Sequence, residues 1–178
     1  AEYELDKFNV YPGLAEHLID GWQKGGLFDE PEAPTKPVIA VLPFDNLGGD
    51  PEQGYFADGI TEGVITELSR FSDLGVIARN STMRYKGQAV EVRAVADELG
   101  ATFVMEGSVQ RSEARIRVTA QLIDAADGTH VWSDSYDHDL TANDIFAVQD
   151  DIAHHVATTS GDFHGVIPRA MSKASGDK

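Results

Sequence analysis

A mixed α/β domain, with one sheet of about five strands in the order β-α-β-α-β-β-β-α, is what the sequence predicts. Three features carry that expectation. Val38–Phe44 is a short, nearly continuous apolar run, as a strand covered on both faces requires. Phe56, Ile60, Val64, Ile65 and Leu68 then recur at helical spacing. After Gly100 the apolar period drops to two, as in strands with one solvated face.

The elements follow in chain order. Residues 1–37 read as a connector: a short helix over about Leu14–Lys24 stops at Gly25-Gly26, and Pro31, Pro34 and Pro37 keep the rest extended. Its Tyr3, Phe8, Tyr11, Leu14, Leu18, Ile19 and Trp22 are too apolar for a bare tether, so residues 3–28 are expected to dock on their own domain or on a second chain. The domain proper covers residues 38–160. Val38–Phe44 is its first and central strand, and the turn Asp45–Pro51 leads into an amphipathic helix over about 54–70. Leu74–Ala78 is the second strand, and Asn80, Ser81 and Thr82 supply side-chain caps for a short turn. Val92, Val95, Ala96 and Leu99 mark a second helix, ended by Gly100. Phe103, Met105, Gly107 and Val109 pair as a hairpin with Ile116, Val118, Ala120 and Leu122 across Ser112-Glu113-Ala114, and Thr129–Tyr136 adds a third antiparallel strand. Asn143-Asp144 starts a last helix with Ile145, Val148, Ile152 and Val156 on its apolar face, and residues 161–178 read as a C-terminal tail. The expected core is Ile39, Val41, Phe44, Phe56, Ile60, Val64, Leu68, Val104, Val118, Leu122, Ile145 and Ile152.

Composition narrows the function. There is no cysteine, which excludes disulfides, thiolate metal sites and a cysteine nucleophile. Fourteen Lys and Arg against thirty Asp and Glu give a net charge of −16, which repels phosphate backbones, so no nucleic-acid partner is expected. Thr129–Asp162 holds seven Asp and no Lys or Arg, and reads as a solvated acidic face. The apolar runs fall far short of a bilayer span and the N-terminus lacks a basic-then-apolar signal pattern, so no membrane insertion is expected. The expected compartment is the cytoplasm, or the periplasm if an upstream leader or anchor has been removed.

No catalytic constellation emerges. Neither G-x-x-x-x-G-K-[ST] nor G-x-G-x-x-G follows Phe44, and Gly48-Gly49 runs into Asp50-Pro51-Glu52, whose charge would oppose phosphate. Asp45, Asn46, Asp50 and Glu52 offer oxygen ligands without the spacing of a calcium loop. His154 and His155 are adjacent and diverge by about 100° on a helix, while His130 and His138 are too far apart to chelate, so solvated surface histidines are expected. Arg111, Arg115 and Arg117 flank the hairpin tip as a solvated face. No cofactor or metal is expected. Arg79–Gly87 gathers basic, polar and aromatic residues just after a strand, where open α/β sheets tend to place ligands. Asp45, Asn46, Asp58, Arg79, Asn80, Arg84 and Tyr85 are therefore the candidate ligand or partner contacts.

Several separated motifs point one way together. "KPVIAVLPFDNLGGDPEQGYFADGITEGVITELSRFSDLGVIARNSTMRYKG", "VRAVADELGATFVMEGSVQRSEARIRVTAQLIDAADGTHVWSDSYDHDL" and "DIFAVQDDIA" occur in that order. From Lys36 to about Val156 the chain resembles the TolB amino-terminal-like domain attached to many bacterial class III adenylate/guanylate cyclases and to some winged-helix transcriptional regulators. The resemblance implies an α/β domain akin to the anticodon-binding-like domain of TolB, acting as a non-catalytic regulatory or protein-interaction module. The implied partner is another protein or an attached output domain, with a homodimer as a further expectation because such cyclases work as dimers. A periplasmic envelope-assembly domain, or a small-molecule sensor with its ligand near Asp45, Asp58 and Arg79, are the alternatives. Two departures stand out: Gly63 replaces a polar or acidic helix former, and "HGVIPRA" replaces the charged run that leads into helical repeats.

Overall fold

Strand β1 is Val38–Val41, and Ile39, Ala40 and Val41 are fully buried in it, as its unbroken apolar pattern requires. In the computed structural model, which describes residues 36–140, 144–161 and 165–176, β1 runs parallel to β3 (Gly75–Val76) on one side and to β4 (Phe103–Ser112) on the other. The chain divides into the units Ala1–Thr35 and Lys36–Lys178, and every described element belongs to the second. The expected helix near Leu14–Lys24 and the docking of residues 3–28 lie outside the described residues.

One mixed sheet of six strands holds the fold together, in the order β3-β1-β4-β5-β6, where β5 is Arg115–Asp124 and β6 is His130–Asp139, with β2 (Asp45–Asn46) beside β4. The middle of this order belongs to β4 and not to β1, because β4 is long enough to pair with β1 and β2 on one edge and with the whole of β5 on the other. Asp45 and Asn46, expected in a turn, stay in the ladder. Val41 pairs with Met105 and Asp45 with Ser108, so β1 and β2 form one interrupted strand with an extra residue between them. Pro43, which has no N–H to give, sits in that bulge. The freed N–H of Phe44 donates to Thr61 Oγ1 at 3.1 Å, and Thr61 Oγ1 in turn donates to the Ala57 carbonyl at 2.8 Å.

Helix α1 (Pro51–Leu68) begins at Asp50, whose Oδ1 accepts from Glu52 N at 3.0 Å. Its Phe56, Ala57, Ile60, Val64 and Leu68 are buried on the sheet, the face the spacing predicts. Arg79–Met83 is a short helix, α2, where capping of a turn by Asn80 and Ser81 was expected. The residue before it is Ala78, which offers no capping side chain, and Thr82 Oγ1 donates inward to the Arg79 carbonyl at 3.0 Å. Helix α3 (Val92–Leu99) starts where Glu91 accepts from Arg93 N and Ala94 N and ends at Gly100, whose φ of 66° is the left-handed closure glycine permits.

Beyond α3, β4 and β5 (Arg115–Asp124) form the expected hairpin from Phe103↔Asp124 to Ser112↔Arg115, and β6 (His130–Asp139) continues the antiparallel order. Helix α4 (Ile145–Gly161) lies beside α1 and buries Val148, Ile152 and Val156. Ile145, placed in the core by its spacing, is 41% exposed. Residues 145–147 are all exposed, so the first turn of α4 overhangs its packing surface and burial begins at Val148. The last departure is at the C-terminus: within the stretch read as a tail, Val166–Gly176 forms helix α5, with Ile167 only 1% exposed in the core. Pro168 looks like a helix breaker in sequence, but as the third residue of α5 it loses no intrahelical hydrogen bond.

The layers follow. Helices α1 and α4 cover one face of the sheet over Ile39, Val41, Phe103, Met105, Val118 and Leu122. On the other face α3 packs with Leu42 and Val104 in a smaller cluster. Past that cluster, this second face of β4-β5-β6 carries polar side chains.

Candidate functional site

The polar face is built by strand alternation. Val104 points toward α3, so Glu106 and Ser108 share its side of β4, and their register partners Gln121 and Thr119 share that side of β5. Gln121 Nε2 donates to Glu106 Oε2 at 3.1 Å, Thr119 Oγ1 lies 3.0 Å from Ser135 Oγ on β6, and Arg117 grips Asp137 through two contacts of 2.7 Å. The Arg117 guanidinium holds the Asp137 carboxyl below its ordinary pKa.

Where this face meets the segment after α2, it forms a cleft of about 320 Å³. Leu42, Pro43 and Val90 give it an apolar wall, and Asp45, Tyr85, Glu106, Ser108, Thr119 and Gln121 its polar lining. Tyr85 stands at the rim in a cluster of three: its hydroxyl donates to Glu98 Oε2 at 2.5 Å and accepts from Arg84 Nη2 at 2.9 Å, while Arg84 pairs with Glu98 at 2.8 Å. The Arg84 guanidinium also lies 4.9 Å from the centre of the Tyr85 ring. The Glu98 carboxylate, as acceptor, holds the phenol's pKa above its ordinary value. Such a lining binds by hydrogen bonds and charge, and two carboxylates favour a cationic or donor-rich group.

The seven sequence candidates separate in space. Asp45 and Tyr85 line the cleft, and Arg84 reaches it through Tyr85. Asn46 is used within its own loop, accepting from Gly48 N at 3.0 Å and donating to the Asp50 carbonyl at 2.7 Å. Asp58 on α1 pairs with Lys86 at 2.6 Å and so ties the segment after α2 to the helix. Arg79 is half-buried with its Nε unpartnered, and Asn80 is exposed on α2; neither lines the cleft. Glu106, Ser108, Thr119 and Gln121 went unnoticed in the sequence. Their signal was the polar half of the period-two alternation, which reads equally well as plain solvation. His130, His154 and His155 are exposed, with His154 beside Glu67 and His155 beside Asp151, both at 3.4 Å, whereas His138, expected to be solvated, is half-buried with Nε2 3.6 Å from Asp151 because its strand lies against α4. Among the described residues no three His, Asp or Glu side chains gather to hold a metal ion, and no helix is long and apolar enough to cross a membrane.

Residues 35–155 match the family model of the HilA/YgeH-like transcriptional regulator, second domain. The chain belongs to this family. A protein of Rhizobium meliloti (strain 1021) named "Putative adenylate cyclase 3" is 57% identical over 126 residues, 71% of this chain but 21% of that protein. The chain thus spans a small part of that relative's length. Among solved structures, TolB from Acinetobacter baumannii aligns with a TM-score of 0.50 at 17% identity, over 77% of this chain and 28% of TolB. A likeness at that identity concerns the fold: both contain this mixed α/β arrangement.

Proposed function

We propose that this chain is a non-catalytic regulatory and protein-binding module of a bacterial signalling protein, of the TolB amino-terminal-like type, coupled to a class III nucleotide cyclase. One observation carries the reading. The domain family is described as the second domain of transcriptional regulators, yet a 57% identical relative forms 21% of a protein named for adenylate cyclase activity. A unit that accompanies two different outputs is better suited to relaying a signal than to performing either chemistry. The net charge of −16 favours a protein partner over nucleic acid, and the module would work in the cytoplasm, where nucleoside triphosphates are supplied.

A second reading, a small-molecule sensor, rests on the cleft of about 320 Å³ beside Asp45 and Tyr85. In it the ligand is cationic or rich in donors, and binding reaches the rest of the domain through Tyr85, Arg84 and Glu98. Incubating the purified chain with ATP or GTP and a divalent cation tests the first reading. No cyclic nucleotide should form. Turnover abolished by substituting a defined set of its side chains would overturn the reading.

A further inference from the structure

Four large apolar side chains are exposed among the described residues: Leu47 at 62%, Tyr55 at 79%, Ile145 at 41% and Phe146 at 69%. They are not scattered. Leu47 lies in the turn leading into α1, Tyr55 is near the start of α1, and Ile145 and Phe146 open α4.

The two helices run side by side in the same direction. Gln149 Nε2 donates to the Phe56 carbonyl at 3.2 Å, Cβ atoms built on Gly59 and Gly63 would touch Gln149 and Ala153, and Glu67 meets His154. On α1 the seam follows Gly59 and Gly63, and one turn earlier the same stripe carries Tyr55. On α4 it follows Gln149 and Ala153, and one turn earlier lies Phe146. Tyr55 and Phe146 therefore flank the open end of one helix pair, where the first turn of α4 has nothing packed on it among the described residues.

Charge decides what fits there. Together α1 and α4 carry six carboxylates and no Lys or Arg. Asp50 and Asp144 are used as caps, Asp144 Oδ1 accepting from Phe146 N at 3.1 Å, and Asp58 is neutralised by Lys86. The carboxylates of Glu52 and Glu62, on or beside the Tyr55 stripe, and of Asp150, one turn beyond Phe146, meet no cation among the described residues. Two copies facing each other here would set these carboxylates against themselves.

We infer that the Tyr55–Phe146 end of the helix pair is a docking surface for a basic amphipathic segment of a protein partner, whose apolar side chains cover the two rings and whose Lys or Arg side chains meet Glu52, Glu62 and Asp150. This rests on the reading of the chain as a binding module and names the surface that module uses. Aromatic anchors within a charged rim are the usual anatomy of such contacts.

The test uses the whole chain with a synthetic Leu/Lys amphipathic helix as probe and a scrambled peptide of the same composition as control, read by fluorescence anisotropy at low and high salt. The amphipathic probe should bind roughly tenfold more tightly than the scrambled one, and Tyr55→Ser with Phe146→Ser should remove roughly tenfold or more of that affinity. Glu52→Gln, Glu62→Gln and Asp150→Asn together should weaken low-salt binding and flatten its salt dependence. All five positions are exposed, so an unchanged melting temperature confirms that each variant is folded. Equal binding of the two peptides, or aromatic variants within about twofold of the parent, would overturn the assignment. So would a dimer, seen by light scattering, that the aromatic substitutions dissolve, since it would make a second copy the occupant. The peptide assay reads the surface alone, so it can fail while the regulatory reading stands, and the reverse.

Discussion

Gly107 and Phe44 show how tightly single residues are held. A Cβ on Gly107 would stand 2.3 Å from the Phe44 ring, and Phe44 is pinned because its N–H is committed to Thr61. Gly107→Ala should therefore destabilise the domain by about 1–3 kcal/mol through overpacking, seen as a lower denaturant midpoint, and Phe44→Leu in the same chain should recover part of the loss. An unchanged midpoint in the single variant would contradict this packing. A second residue-scale expectation concerns acid. Arg117 lowers the pKa of Asp137, and the hydroxyl and N–H of Thr129 lower that of Asp127. Depressed carboxyls release protons on folding, so their contribution is present above the unfolded value of about 4 and is lost as pH falls through the folded values. Asp137→Asn should lower the melting temperature slightly near neutrality and converge on the parent in acid, which flattens the acid limb of a melting-temperature profile. Both partners are exposed, so the effect is small.

At the scale of elements, the glycines of α1 explain a departure that puzzled the sequence. Helix propensity alone makes Gly63 unfavourable by about 1 kcal/mol relative to Ala, but a Cβ there would lie 2.9 Å from the Cβ of Ala153 on α4. The two glycines should therefore answer differently to the same substitution. At Gly59 the obstacle is the end of the flexible Gln149 side chain, which can swing aside at the cost of its hydrogen bond to the Phe56 carbonyl, so Gly59→Ala should leave the melting temperature close to the parent's; Gly63→Ala should lower it because the helices must part. Equal responses would show that the seam does not set helix spacing. Helix α5 carries a parallel expectation: Ile167→Ala should cost about 2–5 kcal/mol, a core-sized loss that no frayed tail could show. What was legible here was periodicity. β1 shows as an unbroken apolar run, while α1, α3, α4 and the hairpin announce a period of two or 3.6. β2 and α2 are too short to display any period, and α5 lies in a stretch that reads as a tail because Ser172–Lys178 is small and polar.

For the molecule as a whole, the candidate site was half legible. Asp45 and Tyr85 were found because they lie where chain segments leave the carboxyl side of parallel strands. Arg79 and Asn80 were chosen with them by adjacency in sequence, and α2 separates what sequence joins, since each helical residue turns by about 100°. Glu106, Ser108, Thr119 and Gln121 come together only through the β4-β5 register, a relation no local pattern displays. The acidic charge of −16 was visible from composition, but its concentration with exposed aromatics at the end of the α1–α4 pair required the fold.

The central claim is that the domain regulates and does not catalyse. Its most direct test is nucleotide cyclase velocity in the longer protein to which this chain is proposed to belong, measured with the segment 36–176 intact and removed. The account predicts that the truncated protein still converts nucleoside triphosphate but no longer changes its velocity when the intact protein's partner is added. Complete loss of turnover on truncation, restored by adding the isolated chain and abolished again by substitutions at Asp45 and Glu106, would place chemistry in this domain and contradict it.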